Sequence, residues 1–283
     1  MSKEGFILSK IKQLVLCVFV ASLVVILTGQ PTKASQQYLQ STTPTIFFHG
    51  YNSGAHAEKY MVNGIKNAGV SKTVVTAEVA ANGKVTLEGR IPKGAVNPLV
   101  MVNFANSRNT DYPLQGQWVK NVIVKLQDQY HIKQINIEAH SMGNMAVMYY
   151  LLENAQNKQL PQLQKFLAMA GTFDGAIGWN EPANLTVNQK TGKPSAENDA
   201  FKKLLPLRQT FPRQVRVLNV YGDVGGGNDS QVSNQSCQTL RYLVNGRAKS
   251  YREVKVTGKN ASHELLHHNP RVNQLLIDFF WAK

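Results

Sequence analysis

The chain has 283 residues, 43% of them hydrophobic, with 31 Lys and Arg against 17 Asp and Glu, a formal net charge of +14. That balance excludes a mainly disordered chain, and 21 Gly with 11 Pro exclude collagen-like and low-complexity classes. Removing residues 1–34 still leaves 27 bases and 16 acids, a net of +11, so the positive charge belongs to the globular part.

Lys3, Lys10 and Lys12 precede an uncharged run over 13–30 whose apolar heart is 14–27. This pattern predicts a signal peptide, with small residues at Thr32-Lys33-Ala34 for cleavage, and export to the cell surface or medium; an uncleaved membrane anchor is the alternative. Cys17 lies inside the run, and the mature chain keeps only Cys237, so no internal disulfide is expected there. Export with so little cysteine points to a bacterium, and to a Gram-positive one. A basic surface favours anionic partners such as cell wall or membrane headgroups. No motif or aromatic-interleaved basic run points to nucleic acid.

In chain order, a strand over 45–48 ends in His49-Gly50, and helical spacing follows over 57–68. Alternation over 73–79 and 84–88 about Asn82-Gly83 predicts a hairpin at a sheet edge. A strand at 99–104 leads to a helix over 118–130, then a strand at 135–137, a small-residue turn and a helix over 145–152. A buried strand at 166–169 is followed by a polar stretch over 175–213, expected to be either a cap over a site or a disordered insertion. Within it Phe201, Leu204, Leu205 and Leu207 are candidates for an acyl pocket or for core packing. Strands at 215–221 and 252–256 and a helix over 269–281 close the chain. Alternating strands and helices over 35–283 predict one α/β domain, with a mostly parallel sheet covered on both faces.

Ala139-His140-Ser141-Met142-Gly143 falls between a predicted strand and helix, and reads as a G-x-S-x-G turn with Ala for the first Gly. Such a string arises by chance in roughly one chain of five or six at this composition, so its placement carries the weight. Ser141 is the candidate nucleophile. A serine hydroxyl needs a base, and among seven histidines His263 is favoured, because it lies between a late strand and the last helix. His267 is the rival. The acid that orients the base should lie between serine and histidine in chain order; Asp229 is favoured, with Asp223 and Asp174 as alternatives. Oxyanion donors are expected from the backbone N–H of Met142 and, after the first strand, of Tyr51, with Asn52 one residue on. His49 reads as a packed structural residue.

These positions resemble the α/β-hydrolase superfamily, and more narrowly the exported Gram-positive group called cell-surface hydrolases, of largely unknown substrate. The resemblance runs from about Thr43 to the C-terminus. It rests on Phe48-His49-Gly50-Tyr51, on His140-Ser141-Met142-Gly143-Asn144, on Leu218-Asn219-Val220-Tyr221-Gly222-Asp223, on Asp229 with Val232 and Ser233, and on His263, Leu266, His267 and Asn269. The spacing from His263 to Leu266 and Val272 also looks like that after the catalytic histidine of small bacterial lipases. The chain departs from the group at Ala139 and Asn144, where Gly is usual, and in lacking the Gly that often follows the acid. The resemblance implies an α/β-hydrolase fold and a Ser-His-Asp esterase or lipase-like enzyme, acting through an acyl-enzyme on a small or lipid-like ester. It implies no metal or organic cofactor. An acyltransferase using the same residues, or a hydrolase-fold protein that only binds wall polymer, are the competing expectations; the sequence sets no oligomeric state.

Overall fold

Strands form wherever apolar residues alternate or run together between turn residues. The computed structural model describes residues 38–283, so the expected leader, its cleavage site and Cys17 lie outside the described residues. The strands are β1 (Thr45–Phe48), β2 (Val74–Val79), β3 (Val85–Glu88), β4 (Leu99–Phe104), β5 (Gln134–His140), β6 (Gln162–Met169), β7 (Arg216–Asp223) and β8 (Ser250–Thr257). They make one sheet in the order β3-β2-β4-β1-β5-β6-β7-β8. All pairs are parallel except β2 with β3, which is the expected edge hairpin, with Val79 opposite Val85. Parallel pairing demands crossovers, and the helices supply them.

The helices are α1 (Lys59–Asn67), α2 (Tyr112–Tyr130), α3 (Gly143–Asn154), α4 (Asp199–Leu204), α5 (Leu207–Thr210), α6 (Asn234–Gln238), α7 (Leu240–Val244) and α8 (Pro270–Trp281). Trp118, Val119 and Val122 of α2 and Met145, Val147 and Met148 of α3 share one core with Ile46, Phe48, Ile137 and Ala139 of the sheet. α1 and α8 pack together on the other side, so by alternation Glu138 and His140 of β5 face them. None of the helices among the described residues is long and apolar enough to cross a membrane.

Two expectations need correction. α2 begins at Tyr112, not near Trp118: the Asp111 carboxylate accepts the Leu114 N–H at 3.0 Å and Pro113 sits in the first turn. Both are start signals that a search for apolar periodicity passes over. The 175–213 stretch has structure of its own and divides in two. Phe201, Leu204, Leu207 and Phe211 of its second half are fully buried in the main core, and Leu205 packs against that core. These side chains therefore do not form an acyl pocket. Each such burial contributes about 1.5–3 kcal/mol, which a solvent-bridging cap would forgo. Only the first half, near residues 176–180, reaches the cleft described below.

Candidate active site

The turn after β5 is built by sterics. Ser141 has φ 53°, the left-handed region, which lifts its side chain off the end of the strand where α3 begins. A Cβ at Gly143 would lie 2.5 Å from the Phe48 carbonyl oxygen and 2.6 Å from that of His49, so only glycine lets α3 start this close to β1. Ala139 is fully buried in β5, where its methyl joins the core. Asn144 does not cap an N–H group. Its Nδ2 donates to the Ser141 and Met169 carbonyls, each at 3.0 Å, tying the turn to β6.

Three side chains far apart in sequence meet here. His263 Nε2 lies 2.8 Å from Ser141 Oγ, and His263 Nδ1 lies 2.8 Å from Asp229 Oδ2. Asp229 is held from both sides. Its Oδ1 accepts the N–H groups of Gln231 (3.0 Å) and Val232 (2.7 Å), while its carbonyl accepts the His263 N–H at 2.7 Å. Ser230, which follows it, has φ 86°, so serine occupies a backbone conformation that favours glycine. His263 opens a 3-10 turn, His263–His268, rather than an irregular loop.

The rival residues lie elsewhere. Asp223 closes the turn after β7: its carboxylate accepts from Gly225, Gly227 and Asn234 and pairs with Lys255 at 3.3 Å. Those bonds, the Gly225 N–H first, hold it below the usual carboxylate range. Asp174 is buried and accepts the Asn198 N–H at 2.8 Å, joining the two ends of the 175–198 segment. His267 packs its ring 4.7 Å from that of His140. Burial, then the neighbouring His268 and His263, push it down to about 4, so its 3.8 Å approach to Glu264 is no ion pair at neutral pH.

Two histidines support the others. His49 accepts the Phe104 N–H through Nε2 at 3.1 Å and its Nδ1 donates to the Gly50 carbonyl at 2.8 Å, a packed role that burial enforces by lowering it to about 4. His140 was assigned no role by the sequence. Its ring lies 4.8 Å from that of His263, and its Nε2–H donates to the His263 carbonyl at 3.1 Å. Burial first, then His263 and His267, hold it well below the ordinary value, so it remains the neutral donor this bond requires. No sequence signal could have found the contact, which spans 123 residues.

Gly50 approaches Ser141 so closely that a Cβ on it would meet Ser141 Cβ at 2.7 Å and Oγ at 3.2 Å. Among the described residues neither the Tyr51 nor the Met142 N–H has a protein acceptor. The Asn52 N–H donates to the Ser107 carbonyl and is not available. Beside Ser141 a cleft of about 600 Å³, counting the part open to solvent, is lined by Tyr51, Tyr112 and Trp179 on its aromatic side and Thr172, Asn180 and Gln231 on its polar side. Tyr51 and Trp179, 42% and 56% exposed, meet edge to face at 5.3 Å at its mouth. Among the described residues no group of three His, Cys, Asp or Glu is placed to hold a metal.

Behind the turn lies a second buried pair. Glu138, three residues before Ser141, and Glu58, after the β1 loop, are fully buried, and none of their four carboxyl oxygens has a hydrogen-bond partner among the described residues. Burial pushes Glu58 up to about 8, and burial together with Glu58 pushes Glu138 well above the usual range. The folded protein thus keeps protons that the unfolded chain releases near 4.5. The resulting stability is complete below that pH and is lost as pH rises through about 8. Glu138→Gln should reduce the fall in Tm between pH 7 and 9.5, read by thermal unfolding at each pH. An alkaline fall as steep as wild type would show that the pair does not titrate in this window.

Comparison with known proteins places this architecture. The family described as "Alpha/beta hydrolase of unknown function (DUF915)" matches residues 32–283. The lin2722 gene product of Listeria innocua has a similar structure, with 24% identity and a TM-score of 0.75, covering 84% of this chain and 94% of that one. So does a presumed cell surface hydrolase of Lactobacillus plantarum, with 18% identity and a TM-score of 0.67, covering 83% and 88%. No curated protein matches by sequence.

Proposed function

The chain belongs to the DUF915 family of alpha/beta hydrolases, and from that premise we propose that it is an exported serine hydrolase cleaving carboxylic esters through an acyl-enzyme. The observation that carries the reading is the unbroken line from Asp229 through His263 to the strained Ser141. In this reading Ser141 Oγ attacks the ester carbonyl while His263 Nε2 takes its proton. Asp229, already satisfied by two backbone N–H groups, holds Nδ1–H and stabilises the imidazolium. The oxyanion settles between the Met142 and Tyr51 N–H groups, at the N-terminus of α3, where the helix dipole also favours negative charge. His263 returns the proton to the leaving alcohol, and water repeats the sequence to release the acid. This chain's own groups carry every step, so no cofactor is assigned.

The cleft suits a small or lipid-like ester: the aromatic wall covers an apolar acyl or alkyl part and the amide side chains face a polar one. Surface location is supported by the lysines and apolar run that predict a leader over 1–34 and by the description of the Lactobacillus plantarum relative. A fluorophosphonate probe tests the reading. One label per chain is expected, lost in Ser141→Ala. No label on the purified wild type, or a label that survives the substitution, would overturn it.

A further inference from the structure

The excess positive charge lies at one end of the sheet. Seven strands are parallel and β3 is antiparallel to β2, so six connections meet where the parallel strands start. Each carries a base: Lys72 before β2, Arg90 and Lys93 before β4, Lys133 before β5. Lys158 precedes β6, Arg213 precedes β7, and Arg247 and Lys249 precede β8. These eight bases are accompanied by no acid within the six connections. The nearest acids in sequence, Glu88, Asp128 and Glu153, sit inside the flanking elements. At the other end, where Ser141 lies, the connections hold five bases and seven acids.

All eight except the half-buried Arg247 are exposed, and none has a carboxylate partner among the described residues. Bases after a helix can be explained as complements to its negative end. Arg90 and Lys93 follow a strand, where no helix end calls for them. Between Lys93 and Lys133 runs an open groove of about 1580 Å³, counting the part continuous with solvent, also lined by Thr42, Tyr130 and His131. Two exposed apolar side chains, Leu39 and Val96, stand at this same end.

The N-terminal segment joins here too. Leu39 N–H donates to the Trp281 carbonyl at the end of α8, and Ser41 N–H to Asn97 just ahead of β4. We propose that the strand-start end of the sheet is a docking face for an anionic lipid bilayer, centred on the groove between Lys93 and Lys133. Headgroup phosphates meet the basic connections, and Leu39 and Val96 meet the interface. The seven residues of β5 separate this face from Ser141, a distance of roughly 20–25 Å. The docked protein therefore turns its cleft away from the bilayer that holds it.

The test uses the full chain and vesicles of phosphatidylcholine with and without phosphatidylglycerol; the ratio of the two partition coefficients cancels the apolar contribution of the leader, and comparing each variant with wild type cancels that of the leader's lysines. Lys93→Gln with Lys133→Gln should lower that ratio by about 25-fold, roughly fivefold per charge. Lys84→Gln with Lys259→Gln, at the cleft end, should leave it within about twofold. If the double variant does not fold, judged by its Tm, Lys93→Gln alone should show the fivefold loss. Vesicle-bound wild type should label with a soluble fluorophosphonate as fast as free protein. Equal losses in the two pairs, a wild-type ratio near one, or labelling blocked on binding would overturn the proposal. It would also fall if the first pair lost binding to inorganic polyphosphate while keeping its vesicle preference, since the face would then serve a soluble polyanion. Partition of Ser141→Ala reads docking without hydrolysis, so failure here leaves the esterase reading standing.

Discussion

Ser141→Ala should lower turnover of p-nitrophenyl butyrate by about 10⁴- to 10⁶-fold, with little change in KM. The serine is the only group at which the acyl-enzyme can form, and the remaining parts of the site offer binding and oxyanion stabilisation alone. His263→Ala should be nearly as severe, and the double variant hardly worse than either, because base and nucleophile act through one 2.8 Å hydrogen bond. Steady-state rates of the three proteins, measured after their Tm values are matched to wild type, check this. Additive losses would mean that the two residues work in separate steps, and the proposed mechanism would fail.

The second large effect is expected at a residue with no side chain. Gly50→Ala adds a methyl that would sit 2.7 Å from Ser141 Cβ, so the loop carrying Tyr51 must retreat or the serine must rotate. Either movement spoils the aim of one oxyanion donor, worth about 10²- to 10³-fold in kcat. Because the ester carbonyl in the ground state leans little on that donor, KM should change much less than kcat. Retained kcat with a raised KM would instead place the loop in substrate binding. Fluorophosphonate labelling should slow in parallel with kcat, since phosphonylation passes through the same oxyanion position.

Much of the site was legible because its signals are local. The turn around Ser141 needs small residues at fixed offsets, and Gly50 follows a strand that the apolar run over 45–48 makes plain. The strand centres at Ile137, Phe166 and Val217 were visible from their apolar neighbours, whereas the polar ends, such as Gln134 and Gln162, were not. The choice between His263 and His267 was harder. The two lie four residues apart in one 3-10 turn, and only its placement against β5 directs the first ring to Ser141 and the second to the far side of His140. Asp229 and Asp223 flank the same glycine-rich loop; the nearer one caps its turn, and the farther one is carried back to His263 by the backbone bond from His263 N–H.

From the sequence alone came the order of the strands and of α1, α2, α3 and α8, the turn around Ser141 and the size of the charge excess, since alternation, turn sterics and composition act within a few neighbouring residues; α4 to α7 were not visible there. Tertiary structure alone decided which imidazole and carboxylate complete the line to Ser141, that Phe201 and Leu204 belong to the core, and that the bases collect away from the cleft. The physical reason is that parallel pairing sends every connection alternately to one end of the sheet and the other. Residues far apart in the chain thereby become neighbours through the crossing order of strands, which no local pattern records.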